Sequence, residues 1–165
     1  MSIFFNQVRG LSVISHKSGD LLGRVEDLVV DPETGKFLAL VVLRKLSEVS
    51  LVKLDKIKEF NHQAVTVLNN QSLEKISSGE IFNIIQNKIK IKGNKVITES
   101  GTRLGRVIDY EIDLVSNKLS TIFVRTKILG KPLIISRNQI ISIGKEAIIV
   151  RDQVIKIAEP ELAGI

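Results

Sequence analysis

The chain has 165 residues, a net charge of +6, no cysteine and only 4% aromatic residues. The missing cysteines exclude disulfides, thiolate catalysis and cysteine-ligated metals, and they fit a reducing, cytoplasmic setting. The longest apolar run, residues 37–43, is far too short to span a membrane, and the Met-Ser-Ile-Phe-Phe start has no basic region to mark a secretory signal.

In chain order the segments are short, β-branched and separated by turn residues, which predicts an all-β fold. Strands are expected at residues 11–15, 22–30, 37–44, 49–52, 57–60 and 64–68, with a single helical turn at 53–56. Residues 69–87 begin polar and are broken by Ser77-Ser78-Gly79, so they read as a linker carrying short helical pieces at 73–76 and 80–85. A second set of strands is expected at 95–98, 104–112, 119–127, 132–135, 140–143 and 147–150, with a helical turn at 136–139. After Arg151, Pro160 and Gly164 predict a frayed tail.

The two sets are copies. Ser18 to Lys36 and Ser100 to Lys118 match at nine of nineteen positions at a spacing of 82 residues, where about one match is expected by chance. The match runs on through Phe37–Val42 against Leu119–Val124, and Leu51-Val52 aligns with Leu133-Ile134 at the same spacing. One inserted residue then brings Ile57 and Phe60 onto Ile140 and Ile143. Three units are therefore expected: a first copy at 1–68, a linker at 69–87, and a second copy with its tail at 88–165. The charge is uneven. Residues 1–68 hold nine basic against eight acidic residues and residues 88–165 hold fourteen against eight, so the excess lies in the second half. That excess is compatible with an acidic partner, an anionic lipid surface or RNA.

Local motifs set the backbone. Asp31-Pro32-Glu33-Thr34-Gly35 predicts a turn in which Pro32 presets φ, Asp31 binds turn amides and Gly35 takes the left-handed position. Asn117 fills that position in the second copy. Gly23 and Gly105 sit inside strands, where glycine marks a bend or a close backbone approach. The apolar phase slips between Val25 and Leu28, and again between Val107 and Tyr110. This predicts a bulge near Glu26-Asp27 and near Ile108-Asp109. Such bends and bulges curl a small sheet into a barrel.

The pattern G-x-x-L-G-x-V-x-D-x-x-x-D resembles the PRC-barrel family. Gly19, Leu22, Gly23, Val25, Asp27 and Asp31 carry it first, and Gly101, Leu104, Gly105, Val107, Asp109 and Asp113 carry it again. The resemblance implies two small six-stranded β-barrels in tandem, joined by the partly helical linker, and a docking module without known catalysis. The family includes the cytoplasmic domain of the photosynthetic reaction-centre H subunit and the C-terminal domain of a factor that matures the small ribosomal subunit. The membrane helix of the first and the extra N-terminal domain of the second are not expected here, so neither specific job carries over.

Few residues suggest chemistry. His16 and His62 lie in turns without the converging ligands that a metal needs. Asp27 with Asp31, and Asp109 with Asp113, could be imagined as acid–base pairs, but turn and bulge bonding explains them better. For Arg24 and Arg106 a surface ion pair is the preferred reading, and a symmetric pair of anion or partner contacts is the alternative. In Asn87 to Lys95, Lys88, Lys90 and Lys92 would share one face of a strand. Protection of a sheet edge is preferred to ligand binding there, because no stacking aromatics interleave the lysines. The expectation is a non-catalytic, cofactor-free interaction module with a protein partner and scope for self-association. The alternative is an RNA- or ribosome-associated assembly factor that uses the basic second half.

Overall fold

Valine, isoleucine and leucine at alternate positions turn one face of each short segment inward. The computed structural model, which describes residues 1–126 and 130–154, is accordingly built mostly of strands. The first copy holds β1 (Ser2–Phe4), α1 (Phe5–Val8), β2 (Ser12–Ser15), β3 (Leu21–Val30), β4 (Phe37–Leu43), β5 (Val49–Lys53), β6 (Ile57–Phe60) and β7 (Ala64–Val67). After α2 (Gly79–Gln86), the second holds β8 (Lys95–Thr98), β9 (Arg103–Asp113), β10 (Lys118–Arg125), β11 (Leu133–Ser136), β12 (Ile140–Ile143) and β13 (Ile148–Val150). Lys127 and the tail with Pro160 and Gly164 lie outside the described residues.

Both copies use one strand order. It runs β5-β4-β3-β2-β7-β6 in the first sheet and β11-β10-β9-β8-β13-β12 in the second. The expected barrels do not close by hydrogen bonding, because the pairing path of each sheet ends at two separate edges. Between β5 and β6 the chain makes one 3₁₀ turn, Leu54–Lys56, and Leu54 packs against the core at that corner. The matching turn, Arg137–Gln139, separates β11 from β12. Each copy thus contributes an open path of six strands, and the second sheet gains a seventh because β1 pairs with β9 off that path.

The predicted bulges are present. Val25 faces Val42 and Asp27 faces Val41, which leaves Glu26 unpartnered; Val107 faces Val124 and Asp109 faces Phe123, which leaves Ile108 unpartnered. A side chain at Gly105 (φ +150°) would place its Cβ 1.9 Å from the Arg125 carbonyl oxygen, and at Gly23 2.6 Å from that of Leu43. The glycines thus permit β3 to cross β4, and β9 to cross β10, closer than any side chain allows. Gly35 and Asn117 both take positive φ, +75° and +54°.

Three expectations need correction. Residues 73–76 are not helical; the helical turn falls earlier, at Asn70–Ser72, and Glu74 instead pairs with Leu51 through a single bridge. Leu40 faces Val52 while Ile122 faces Ile135, so Val52 corresponds to Ile135 and Leu51 to Ile134. The inserted residue therefore precedes β11 rather than following it. Finally, residues 88–92 form no strand: Lys88 has φ +54°, and the chain turns again at Gly93 with φ +82°.

The copies are interlocked. β1 leaves its own copy and pairs with β9, with Ile3 opposite Ile112. The two Asp-started turns also meet, as Phe37 N donates to Asn117 O and Leu119 N to Gly35 O, both at 2.8 Å. Ile3, Phe5 and Val8 join Tyr110, Ile112 and the inner residues of both sheets in one buried cluster. No described helix is long and apolar enough to cross a membrane.

Candidate functional site

The paired aspartates do backbone work in both copies. At each bulge the carboxylate accepts the next amide: Leu28 N to Asp27 Oδ1 at 2.8 Å, and Tyr110 N to Asp109 Oδ1 at 2.9 Å. At each turn it closes the loop. Asp31 accepts from Glu33 N and Thr34 Oγ1, and Asp113 accepts from Val115 N and Ser116 Oγ. These are the bonds expected of aspartate in turns and bulges, and they occupy the carboxylates without a substrate. Burial pushes the Asp27 carboxyl above its ordinary value, against the opposing pull of the Leu28 amide and Lys90. Among the described residues no three histidine or carboxylate side chains converge as metal ligands would.

Each bulge also receives the leading segment of the other copy. Asn6 N donates to Asp109 Oδ1 at 2.9 Å, and Asn6 Nδ2 donates to Ile108 O at 3.0 Å. In the reverse direction, Lys90 Nζ lies 3.7 Å from Asp27 Oδ2. Lys92 Nζ donates to Ile108 O and to Asn6 Oδ1. Phe5 stacks on Tyr110 at 5.0 Å between ring centroids. Burial, with Asp27 and Asp109 nearby, pushes the Tyr110 phenol well up.

Arg24 and Arg106 do the same job in the two copies. Arg24 Nη1 donates to Gly10 O (3.3 Å) and Arg106 Nη1 to Gly93 O (2.9 Å). Both glycines have positive φ, and both begin the turn that enters β2 or β8. Val13 pairs with Gly23 and Val96 with Gly105, which sets this leading part of the repeat at a spacing of 83 residues. That spacing was hidden in the sequence, because the second copy has one residue fewer between Thr98 and Arg103 than the first has between Ser15 and Leu21. The lysines do not lie along an edge. Lys88, Lys90 and Lys92 surround a surface cleft together with Asn94, Lys95, Arg106 and Lys145.

The outer faces of the two sheets differ. On the first sheet, α2 lays Ile81, Ile84 and Ile85 over Val29, Ala39, Val41 and Leu51. Ahead of α2, Glu74 exchanges both backbone bonds with Leu51 and covers the β5 edge. The register-equivalent face of the second sheet carries Glu111, Thr121, Phe123 and Ile134. There Phe4 of β1 lies 6.0 Å from Phe123, Ile134 is 68% exposed, and no described helix covers it.

These features define a class: a duplicated, glycine-bent and bulged β-unit whose polar motif residues serve the backbone. The family model of the PRC-barrel domain matches residues 1–69 and again 90–155. The chain belongs to the PRC-barrel family and carries the domain in two segments. No curated protein matches it.

Proposed function

We propose that the protein is a non-catalytic cytoplasmic docking module. Residues 1–68 and 88–165 are its repeat units, residues 69–87 connect them, and the outer face of the second sheet receives an amphipathic helix from a partner protein. One observation carries this reading. The same face on the first sheet is occupied by α2, whose Ile81, Ile84 and Ile85 fall on one side at i, i+3 and i+4 spacing. That helix supports the reading by analogy, with Glu111 and Thr121 standing on the second face where the first has Val29 and Ala39. An apolar stripe on a helix is also a common ligand for a groove or sheet face. Phe4, Phe123 and Ile134 offer such a stripe its contacts.

A photo-crosslinking amino acid at position 134, activated in the native cell, tests the occupant. The expected product joins position 134 to an apolar helical segment of another protein. Crosslinks confined to this same chain, to a second copy of it, or to RNA would overturn the reading. The RNA-associated alternative rests on the basic second half and has its own test in the cleft described next.

A further inference from the structure

The repeat supplies an internal control for the basic residues. With Gly10 matched to Gly93, Lys88, Lys90 and Lys95 stand where the first copy has Phe5, Gln7 and Ser12. Phe60 pairs with Val65 and Ile143 with Ile148, so Lys145 stands where the first copy has His62. Four lysines are therefore particular to the second copy; in the first copy the segment that matches 88–91 forms α1 (Phe5–Val8) without any of them, and here it is not helical. Lys92 and Arg106 keep a basic residue in both copies, at Arg9 and Arg24. Of these, Arg9 is paired with Glu26 at 3.4 Å.

Six cationic residues line the cleft. Lys90 Nζ lies 3.7 Å from Asp27 Oδ2 and Lys92 Nζ donates to Ile108 O and Asn6 Oδ1, so Lys88, Lys95 and Lys145 are the ammonium groups left for a ligand. Asn94, which is buried, donates from Nδ2 to Lys90 O at 2.8 Å and to Gly144 O at 2.9 Å. That side chain ties the 88–94 turn to the β12–β13 turn and carries Lys145 to the same rim. Lys95 lies directly opposite Arg106 in the β8–β9 pairing. Like charges in cross-strand register destabilise a sheet, whereas the first copy has Ser12 there, hydrogen-bonded to Arg24 at 3.2 Å. Glu146 is the single acidic residue of the cleft lining. With no strand at residues 88–92, edge protection does not account for Lys88, Lys90 and Lys92.

We infer that this cleft is a binding site for an oligophosphate ligand. Ammonium groups on flexible stems act as point charges suited to phosphate, whereas planar carboxylate recognition favours arginine forks. The one arginine here has Nη1 already committed to Gly93 O. No aromatic residue lines the cleft, so no base is stacked and the phosphate chain itself is recognised.

Calorimetric titration of the intact protein with inorganic tripolyphosphate at low ionic strength tests this. The readout compares wild type, a triple variant (Lys88→Gln, Lys95→Gln, Lys145→Gln) and a charge-matched control (Lys17→Gln, Lys56→Gln, Lys58→Gln). The triple variant should bind about tenfold or more weakly, with the control unchanged and wild-type affinity falling steeply with salt. No binding by wild type, or equal weakening in both variants, would overturn the site. A 5′-hydroxyl RNA oligomer forms the second arm. Tight RNA binding without tripolyphosphate binding would overturn the oligophosphate assignment and make the cleft a nucleic-acid surface.

Discussion

The two copies share strand order, bulge positions and turn chemistry, yet they diverge in what covers them and in charge. The first is sealed: its outer face lies under α2, and Glu74 occupies the Leu51 edge. The second leaves Ile134 open and gathers lysines at its leading turn. What is common to both is what the fold requires, and what belongs to one alone is free to serve function. By that standard Gly23, Gly105, Asp27, Asp109, Arg24 and Arg106 are scaffold. Lys88, Lys95 and Lys145, with the Phe4–Phe123–Ile134 face, are where a ligand or partner is to be sought, whereas Lys90 is held by Asp27.

The comparison breaks most readily at the shared glycines. Gly105→Ala drives a methyl into the Arg125 backbone oxygen, a contact that no side-chain rotation relieves. It should cost about 4 kcal/mol, combining overpacking with unfavourable φ. Gly23→Ala meets a longer approach, 2.6 Å to Leu43 O and 2.7 Å to the movable Val42 Cγ1. It should cost about 2 kcal/mol. Urea unfolding midpoints measure both, and equal costs would mean that the second copy is not the tighter of the two.

Next in size is the crossing of β1 between copies. Ile3 is only 6% exposed and packs in the common cluster, so Ile3→Ala should cost about 3 kcal/mol. Because β1 belongs to one copy and pairs with the other, circular dichroism and amide exchange in β3 and in β9 should both report one shared transition in the variant. Loss of protection in β9 alone would show that the copies unfold separately.

The sequence disclosed what is local and withheld what is not. Glycine and asparagine at the left-handed turn positions, and the slip of apolar phase at Glu26 and Ile108, are written in neighbouring residues and appear where expected. β1 is three residues long, and its partner lies more than a hundred positions away. No short-range pattern could announce that pairing. The alternation of Lys88 to Lys92 has the period of a strand, but the bonds of Lys92 to Ile108 and Asn6, and the turn at Gly93, override it. Closure is likewise a matter of pairing between distant strands: β5 and β6 end the first sheet's path with only the Leu54–Lys56 turn between them, and no local pattern states whether they pair. The lysine cleft was legible as three residues of one run. Lys95, Arg106 and Lys145 come to it only through the β8–β9 pairing and the Asn94 clasp.

The smallest effect separates the aspartates by the direction of their pH dependence. Burial raises the Asp27 carboxyl above 3.8, so the folded protein holds that proton more tightly than the unfolded chain does. Its contribution is complete below pH 3.8 and is lost as pH rises through the raised folded value. Asp31 behaves oppositely. Partial desolvation works against ionisation, but the hydrogen bonds from Thr34 and from the Glu33 and Thr34 amides outweigh it and lower the carboxyl. Its contribution is present above 3.8 and is lost as pH falls through the lowered folded value. Asp113 is lowered in the same sense by Ser116 and the Val115 amide. Asparagine at either position keeps an oxygen to accept the backbone bond. Asp27→Asn should therefore gain on wild type as pH rises across the Asp27 window, by about 1 kcal/mol or less. Asp31→Asn should fall behind wild type at neutral pH and draw level with it in acid. Urea midpoints taken between pH 3 and pH 7 read both slopes, and parallel curves for the two variants would mean that bulge and turn carboxylates share one environment.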